Sequence, residues 1–134
     1  MFANFVLTSI VGAVVAAAQS IECARNYTVH LGDVCDTISA SQNSSTYQLA
    51  HVNPNIDEGC TNLALGEPLC LGEVGHDCQD TYVISSGDGC WAISQTFGIG
   101  LDILLANNPN VASDCSNIYP NEASFGLADA QTES

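Results

Sequence analysis

The chain has 134 residues, one Lys or Arg against fifteen Asp and Glu, and a formal net charge of −14. Such a surface repels phosphate backbones and anionic headgroups, which excludes nucleic-acid and membrane-surface partners but not a neutral or partly cationic polymer. The length holds one ordinary domain or two very small ones.

From the N-terminus, Phe5 to Ala18 is almost wholly apolar and ends in Ala16-Ala17-Ala18, a small-residue pattern suited to signal peptidase. Residues 1–18 therefore read as a signal peptide, cleaved near Ala18 or Ser20, although the start MFANF carries no Lys or Arg. The apolar run falls short of the roughly 18 residues a membrane span needs, and no later stretch could cross a bilayer. The expectation is a secreted, extracellular, soluble protein. Seven cysteines (Cys23, Cys35, Cys60, Cys70, Cys78, Cys90 and Cys115) fit that route, because small secreted domains need disulfides to supplement small cores. Zinc is the competing use. The chain has no C-x-x-C pair, and His30, His51 and His76 lie at no ligand-like spacing, so no metal or cofactor is expected. Asn26-Tyr27-Thr28 and Asn43-Ser44-Ser45 are sequons that offer Asn26 and Asn43 for N-glycosylation.

Tyr27-Thr28-Val29 has the aromatic and β-branched character of a short strand. Gly32-Asp33 follows: the glycine suits a turn and the aspartate suits a helix N-cap, with Asp36 favourable near the positive helix end. A first helix should run from about Val34 to Ser41, and a second up to Val52. Asn53-Pro54 stops the second, because the residue before proline is pushed out of the helical region. After Cys60 come a turn at Leu65-Gly66-Glu67-Pro68 and a last strand, Leu69-Cys70-Leu71. Gly72 to Asp77 reads as a linker.

The chain then repeats itself with a gap-free offset of 55 residues, Tyr27 falling on Tyr82. YTVHLGDVCDTIS matches YVISSGDGCWAIS, and Leu49, Asn53, Pro54 and Asn55 match Leu104, Asn108, Pro109 and Asn110. Cys60-Thr61-Asn62-Leu63 matches Cys115-Ser116-Asn117-Ile118. The second copy thus predicts a strand at Tyr82-Val83-Ile84, a helix from about Gly89 to Phe97, and another ending at Asn107. Its end departs: Cys70 falls on Phe125, the turn glycine is gone, and an acidic tail, 127–134, follows. The fold class is α+β: two small disulfide-stapled βααβ modules at 27–71 and 82–126, the second with a doubtful last strand. Four cysteines in the first copy allow three pairings. The odd cysteine of the second is left free or bridges two chains. Were it Cys90, an exposed thiol would sit at the start of the second module's first helix.

Tyrosine-x-hydrophobic, Gly-Asp-x-Cys, Leu-x-x-x-Asn-Pro-x-hydrophobic, Cys, then Gly-Glu-Pro-Leu-Cys resembles the LysM module in its cysteine-bearing fungal form. The whole resembles a fungal LysM effector. The resemblance implies a βααβ fold that binds chitin-type N-acetylglucosamine polymers, or in other members peptidoglycan, in a shallow groove between the strand-to-helix turn and the segment after Asn-Pro. Carried over, the first groove is Gly32, Asp33, Val34 and Cys35 facing Asn53, Pro54, Asn55 and Ile56. The second is Gly87, Asp88, Gly89 and Cys90 facing Asn108, Pro109, Asn110 and Val111. Loop backbone can pair with the sugar amide while Pro54, Ile56 or Val111 covers its methyl, the usual plan of an apolar surface with a few placed polar groups. Two such sites on one polymer, within a chain or in a ligand-bridged or disulfide dimer, gain from effective concentration.

Plainer roles compete with these. Asp33 and Asp88 serve as helix caps with or without sugar contact, Asn-Pro ends a helix without any ligand, and Trp91 fits a groove edge or the core equally. Asp33, Asp36, Asp57 and Glu58 belong to exposed turns rather than to the paired carboxylates of a glycosidase cleft. No His-supported Ser or Cys nucleophile is suggested, so no catalysis is expected. The alternative function is a disulfide-rich extracellular scaffold or inhibitor that binds a protein partner.

Overall fold

The computed structural model describes residues 20–122, and residue 12 besides. The acidic tail, Phe125 and, apart from residue 12, the expected signal peptide lie outside the described residues. The elements in order are β1 (Cys23–Thr28), α1 (Cys35–Gln42), α2 (Thr46–Val52), β2 (Pro68–Glu73), α3 (Cys90–Phe97) and α4 (Leu101–Asn107). β1 and β2 pair antiparallel with Tyr27 opposite Leu69 and Asn26 opposite Cys70, and the register shifts between Cys23 and Asn26. The first copy is therefore strand, helix, helix, strand, as its turn and strand signals predicted.

Each copy has its own core, and the two cores are the same list displaced by the repeat. Val29, Ile38 and Leu49 are buried in the first, with Ile56 and Leu63 packed against them. Ile84, Ile93, Leu104 and Val111 are buried in the second, with Ile118 against them. Burying each such side chain is worth about 1.5–3 kcal/mol. The first core is completed by Leu69 and Leu71 of β2. The second copy has Ser124 and Gly126 at the equivalent places, and Ile99 and Leu105 pack against its core from the helical side.

The cysteines resolve into Cys23–Cys70, Cys35–Cys60 and Cys90–Cys115, with Cys78 free. The unpaired residue is thus the one whose partner was replaced by Phe125, and Cys90 is buried in a disulfide rather than exposed as a thiol. Cys35–Cys60 and Cys90–Cys115 each tie the first residue of a helix to the loop after the next, across a separation of 25 residues. Closing a loop of that size removes about 3.5 kcal/mol of unfolded-chain entropy.

Two expectations need correction. The segment 72–77 is not a free linker. Gly72 and Glu73 complete β2, and Asp77 receives both Nε (2.6 Å) and Nη2 (2.8 Å) of Arg25. The same guanidinium donates to the carbonyls of Gln42 (2.6 Å) and Asn43 (3.2 Å) at the end of α1. Gln48 donates to Leu71 C=O and to Asp77, and accepts from Cys78 N–H. A β-carbon at Gly72 would collide with the Asp77 carboxylate, so this close approach requires glycine. Second, Tyr82-Val83-Ile84 forms no regular strand; Ile84 instead donates to Glu122 C=O (3.1 Å) and accepts from Asn121 N–H (2.9 Å). The closing turn of the second copy forms although its glycine is gone. Asn121, at φ 67°, stands where the first copy has Gly66 at φ 81°, and asparagine is among the few residues that tolerate that region.

Candidate functional site

Both strand-to-helix turns are built alike. In His30–Asp33 the Asp33 N–H donates to His30 C=O (3.2 Å), with Gly32 at φ 88°; in Ser85–Asp88 the bond is 3.1 Å, with Gly87 at φ 87°. A positive φ at the third position is what a type II turn demands, hence the glycine. Asp33 Oδ2 accepts from His30 N–H (2.7 Å) and from the Tyr27 hydroxyl (2.8 Å). Asp88 Oδ2 accepts from Ser85 N–H (2.8 Å) and from the Tyr82 hydroxyl (2.6 Å). The aspartates are turn closures, not the expected helix caps. The cap positions fall one residue later, on Val34 and Gly89, neither of which caps through a side chain. The N–H of His30, then the Tyr27 hydroxyl, hold the Asp33 carboxyl below its ordinary range. For Asp88 the order is the Tyr82 hydroxyl, then Ser85 N–H. The same bonds raise both tyrosine hydroxyls.

The segments after the second helices also match. Asn53 is half-buried and structural: its Nδ2 donates to Leu49 C=O (2.7 Å) and Cys70 C=O (2.6 Å), and its Oδ1 accepts from Cys70 N–H (2.9 Å). Asn108 is 2% exposed and donates to Leu104 C=O (2.8 Å). Val111 is buried in the second core. Asn108 and Val111 therefore cannot line an open groove as expected; the helix-ending turn directs them inward. Pro54, Asn55, Pro109 and Asn110 are exposed. Two residues that sequence reasoning left without a role brace these loops. Asn62 donates to Asn55 C=O (2.7 Å) and accepts from Asp57 N–H (2.9 Å). Asn117 does the same with Asn110 C=O (2.8 Å) and Ala112 N–H (2.7 Å). Their recurrence two residues after Cys60 and Cys115 was the available signal.

A cavity of about 370 Å³ lies over the first copy. Val34, Cys35 and Asp36 at the start of α1, Tyr47 and Ala50 of α2, and Ile56 to Cys60 line it, with Asn110 and Tyr119 from the second copy. Of the carried-over groove residues it gathers Val34, Cys35, Ile56 and Asn110. Gly32, Asp33, Asn53, Pro54, Asn55, Gly87, Asp88, Gly89, Pro109 and Val111 are not in its lining. Val34 is 50% exposed there, as an apolar wall. The Tyr119 hydroxyl donates to the Asp36 carboxylate (3.2 and 3.3 Å), joining the two copies across this space. Burial, then the charges of Asp36 and Glu122, push Tyr119 up to about 12, so it stays a donor. Glu122 is buried behind it, accepting from Tyr119 N–H (3.2 Å) and Asn110 Nδ2 (3.2 Å), and burial raises its pKa. Asp57, whose carboxylate accepts from Thr61 N–H and hydroxyl, is held low. Trp91 is 68% exposed on α3, which removes its core reading. Asn26 and Asn43 are exposed. Among the described residues no cluster of His, Cys, Asp and Glu is placed to hold a metal ion, and no helix is long and apolar enough to cross a membrane.

The family model for the LysM domain matches residues 27–72 and 82–122. The chain is 31% identical to a Penicillium expansum protein called non-secreted LysM effector LysM15, over 72% of this chain and 7% of that one. It is 29% identical to the Trichophyton rubrum secreted LysM effector LysM1, over 73% of this chain and 48% of that one. The chain thus spans less than half the length of these relatives. Among solved structures it is similar to the Bacillus megaterium spore cortex-lytic enzyme SleL, at 18% identity and a TM-score of 0.38, over 75% of this chain and 21% of that one.

Proposed function

Because the chain belongs to the LysM domain family, we propose that it is a secreted, non-catalytic binder of chitin-type N-acetylglucosamine oligosaccharides. The observation that carries the reading is the cavity where the start of α1 meets the loop before Cys60, with Val34 and Ile56 as apolar wall and the exposed residues Asp57, Glu58 and Gly59 beside them. That is the arrangement an acetamido group asks for: a methyl against aliphatic carbon, an amide against peptide groups. Asn62 holds the Asn55–Asp57 backbone in place before any ligand arrives, which lowers the ordering cost of binding. Several relatives carry the name secreted LysM effector. In this reading the chain withholds chitin fragments from a host or coats the fungal wall. The chemistry suits holding rather than cutting. A glycosidase sets an acid of raised pKa opposite a second carboxylate, about 5–9.5 Å away. Here the carboxyl that burial raises, Glu122, is committed to Tyr119 N–H and Asn110 and does not line the cavity.

Calorimetric titration with a chitin hexamer, with cellohexaose as control, tests this. Heat with the acetylated sugar alone is expected, and V34S should weaken it about three- to tenfold by removing one apolar contact. Serine is a good N-cap at that position, so the variant should fold at least as well as the parent. No heat and no retention on insoluble chitin would overturn the reading in favour of a protein partner.

A further inference from the structure

The charge around the cavity carries a narrower conclusion, which rests on the sugar-binding reading above. We propose that the cavity selects oligosaccharides bearing free amines, partly deacetylated glucosamine chains, over fully N-acetylated ones. Three acidic residues from two segments line this space: Asp36 at the start of α1, and Asp57 and Glu58 in the loop before Cys60. Asp36 is oriented by the Tyr119 hydroxyl and Asp57 by Thr61. No cation answers them, since the chain's single Lys or Arg is Arg25, engaged by Asp77 and the end of α1. A neutral sugar that fills the cavity displaces water from these carboxylates and gives no charge in return, which is a cost. An ammonium in place of an acetamide supplies charge-assisted hydrogen bonds to the same oxygens. The apolar wall of Val34, Cys35 and Ile56 still asks for an acetyl methyl. The matching ligand is therefore mixed, with acetylated and free units in one chain.

The test compares fully acetylated, half-acetylated and fully deacetylated glucosamine hexamers by calorimetry near pH 6, at about 0.02 and 0.3 M ionic strength. The half-acetylated hexamer should bind about tenfold tighter than the acetylated one at low salt, with the advantage shrinking to about two- to threefold at high salt, as expected for part-exposed ion pairs. D36N combined with E58Q should remove the advantage, bringing the affinities of the half-acetylated and fully acetylated hexamers within about twofold of each other. D80N, which removes one negative charge outside this cavity, should keep it. Equal or tighter binding of the acetylated hexamer would overturn the inference and leave the chitin reading standing. An advantage that survives in D36N/E58Q would also overturn it, assigning the effect to the chain's overall acidity. If none of the three hexamers binds, the sugar reading itself falls, and this inference with it.

Discussion

Replacing Asn53 with alanine separates a structural asparagine from a sugar-contacting one. Its side chain makes three hydrogen bonds, two to the backbone of Cys70 in β2 and one to Leu49 C=O in α2. It thus does for β2 what a neighbouring strand would do, and it fixes the end of α2 against the sheet. A net hydrogen bond contributes about 1 kcal/mol, and part-buried groups left unpaired add to the loss, so N53A should cost about 2–4 kcal/mol. In a cooperative unit this small, that lowers Tm by roughly 10–20 °C, with both disulfides of the copy intact. Chemical denaturation gives the free energy, and hydrogen exchange gives the location: the Cys70 amide should lose protection selectively. Well below its Tm the folded variant should still bind a chitin hexamer, because the side chain faces the protein. A loss below about 0.5 kcal/mol with unchanged Cys70 exchange would refute the bracing role. Abolished binding in a variant with native stability would place Asn53 in the groove after all.

Three further outcomes are expected. G32A and G87A should each cost about 1–2 kcal/mol in denaturant unfolding, since both glycines sit at positive φ with open space around a new β-carbon and the penalty is backbone alone. Asp33 and Asp88 have carboxyls depressed in the fold, so their contribution is present above the ordinary aspartate value of 3.8 and is lost as pH falls through the lower folded values. Unfolding scans between neutral pH and pH 2 should show that loss, and Y27F with Y82F should flatten it. Denatured protein should titrate one thiol, and C78S should abolish it without changing stability, whereas C23S with C70S should cost about 4 kcal/mol for a separation of 47 residues.

The periodic features of this chain were legible in its sequence because periodicity is local. The repeat offset located the matching helices and the Asn-Pro stops. What was not legible depended on direction rather than identity. Asp33 and Asp88 have the chemistry of caps, but one residue of displacement turns them back onto Tyr27 and Tyr82. Asn108 and Val111 occupy groove positions by alignment, yet the backbone after α4 points them inward. Tyr119 was beyond reach for a different reason. Its repeat equivalent is Ala64, so self-comparison offered no counterpart, and its contact with Asp36 spans 83 residues. Arg25 hid its role by being alone: nothing in composition says that the one strong cation closes the segment after β2 onto the end of α1.

That guanidinium has a consequence outside the fold. A protease that cleaves after lysine or arginine finds a single candidate peptide bond in the whole chain, Arg25–Asn26. The bond lies within β1, hydrogen-bonded to β2, and the side chain such a protease must draw into its specificity pocket is already held by Asp77 and two helix-end carbonyls. Trypsin-like digestion should therefore leave the folded chain whole.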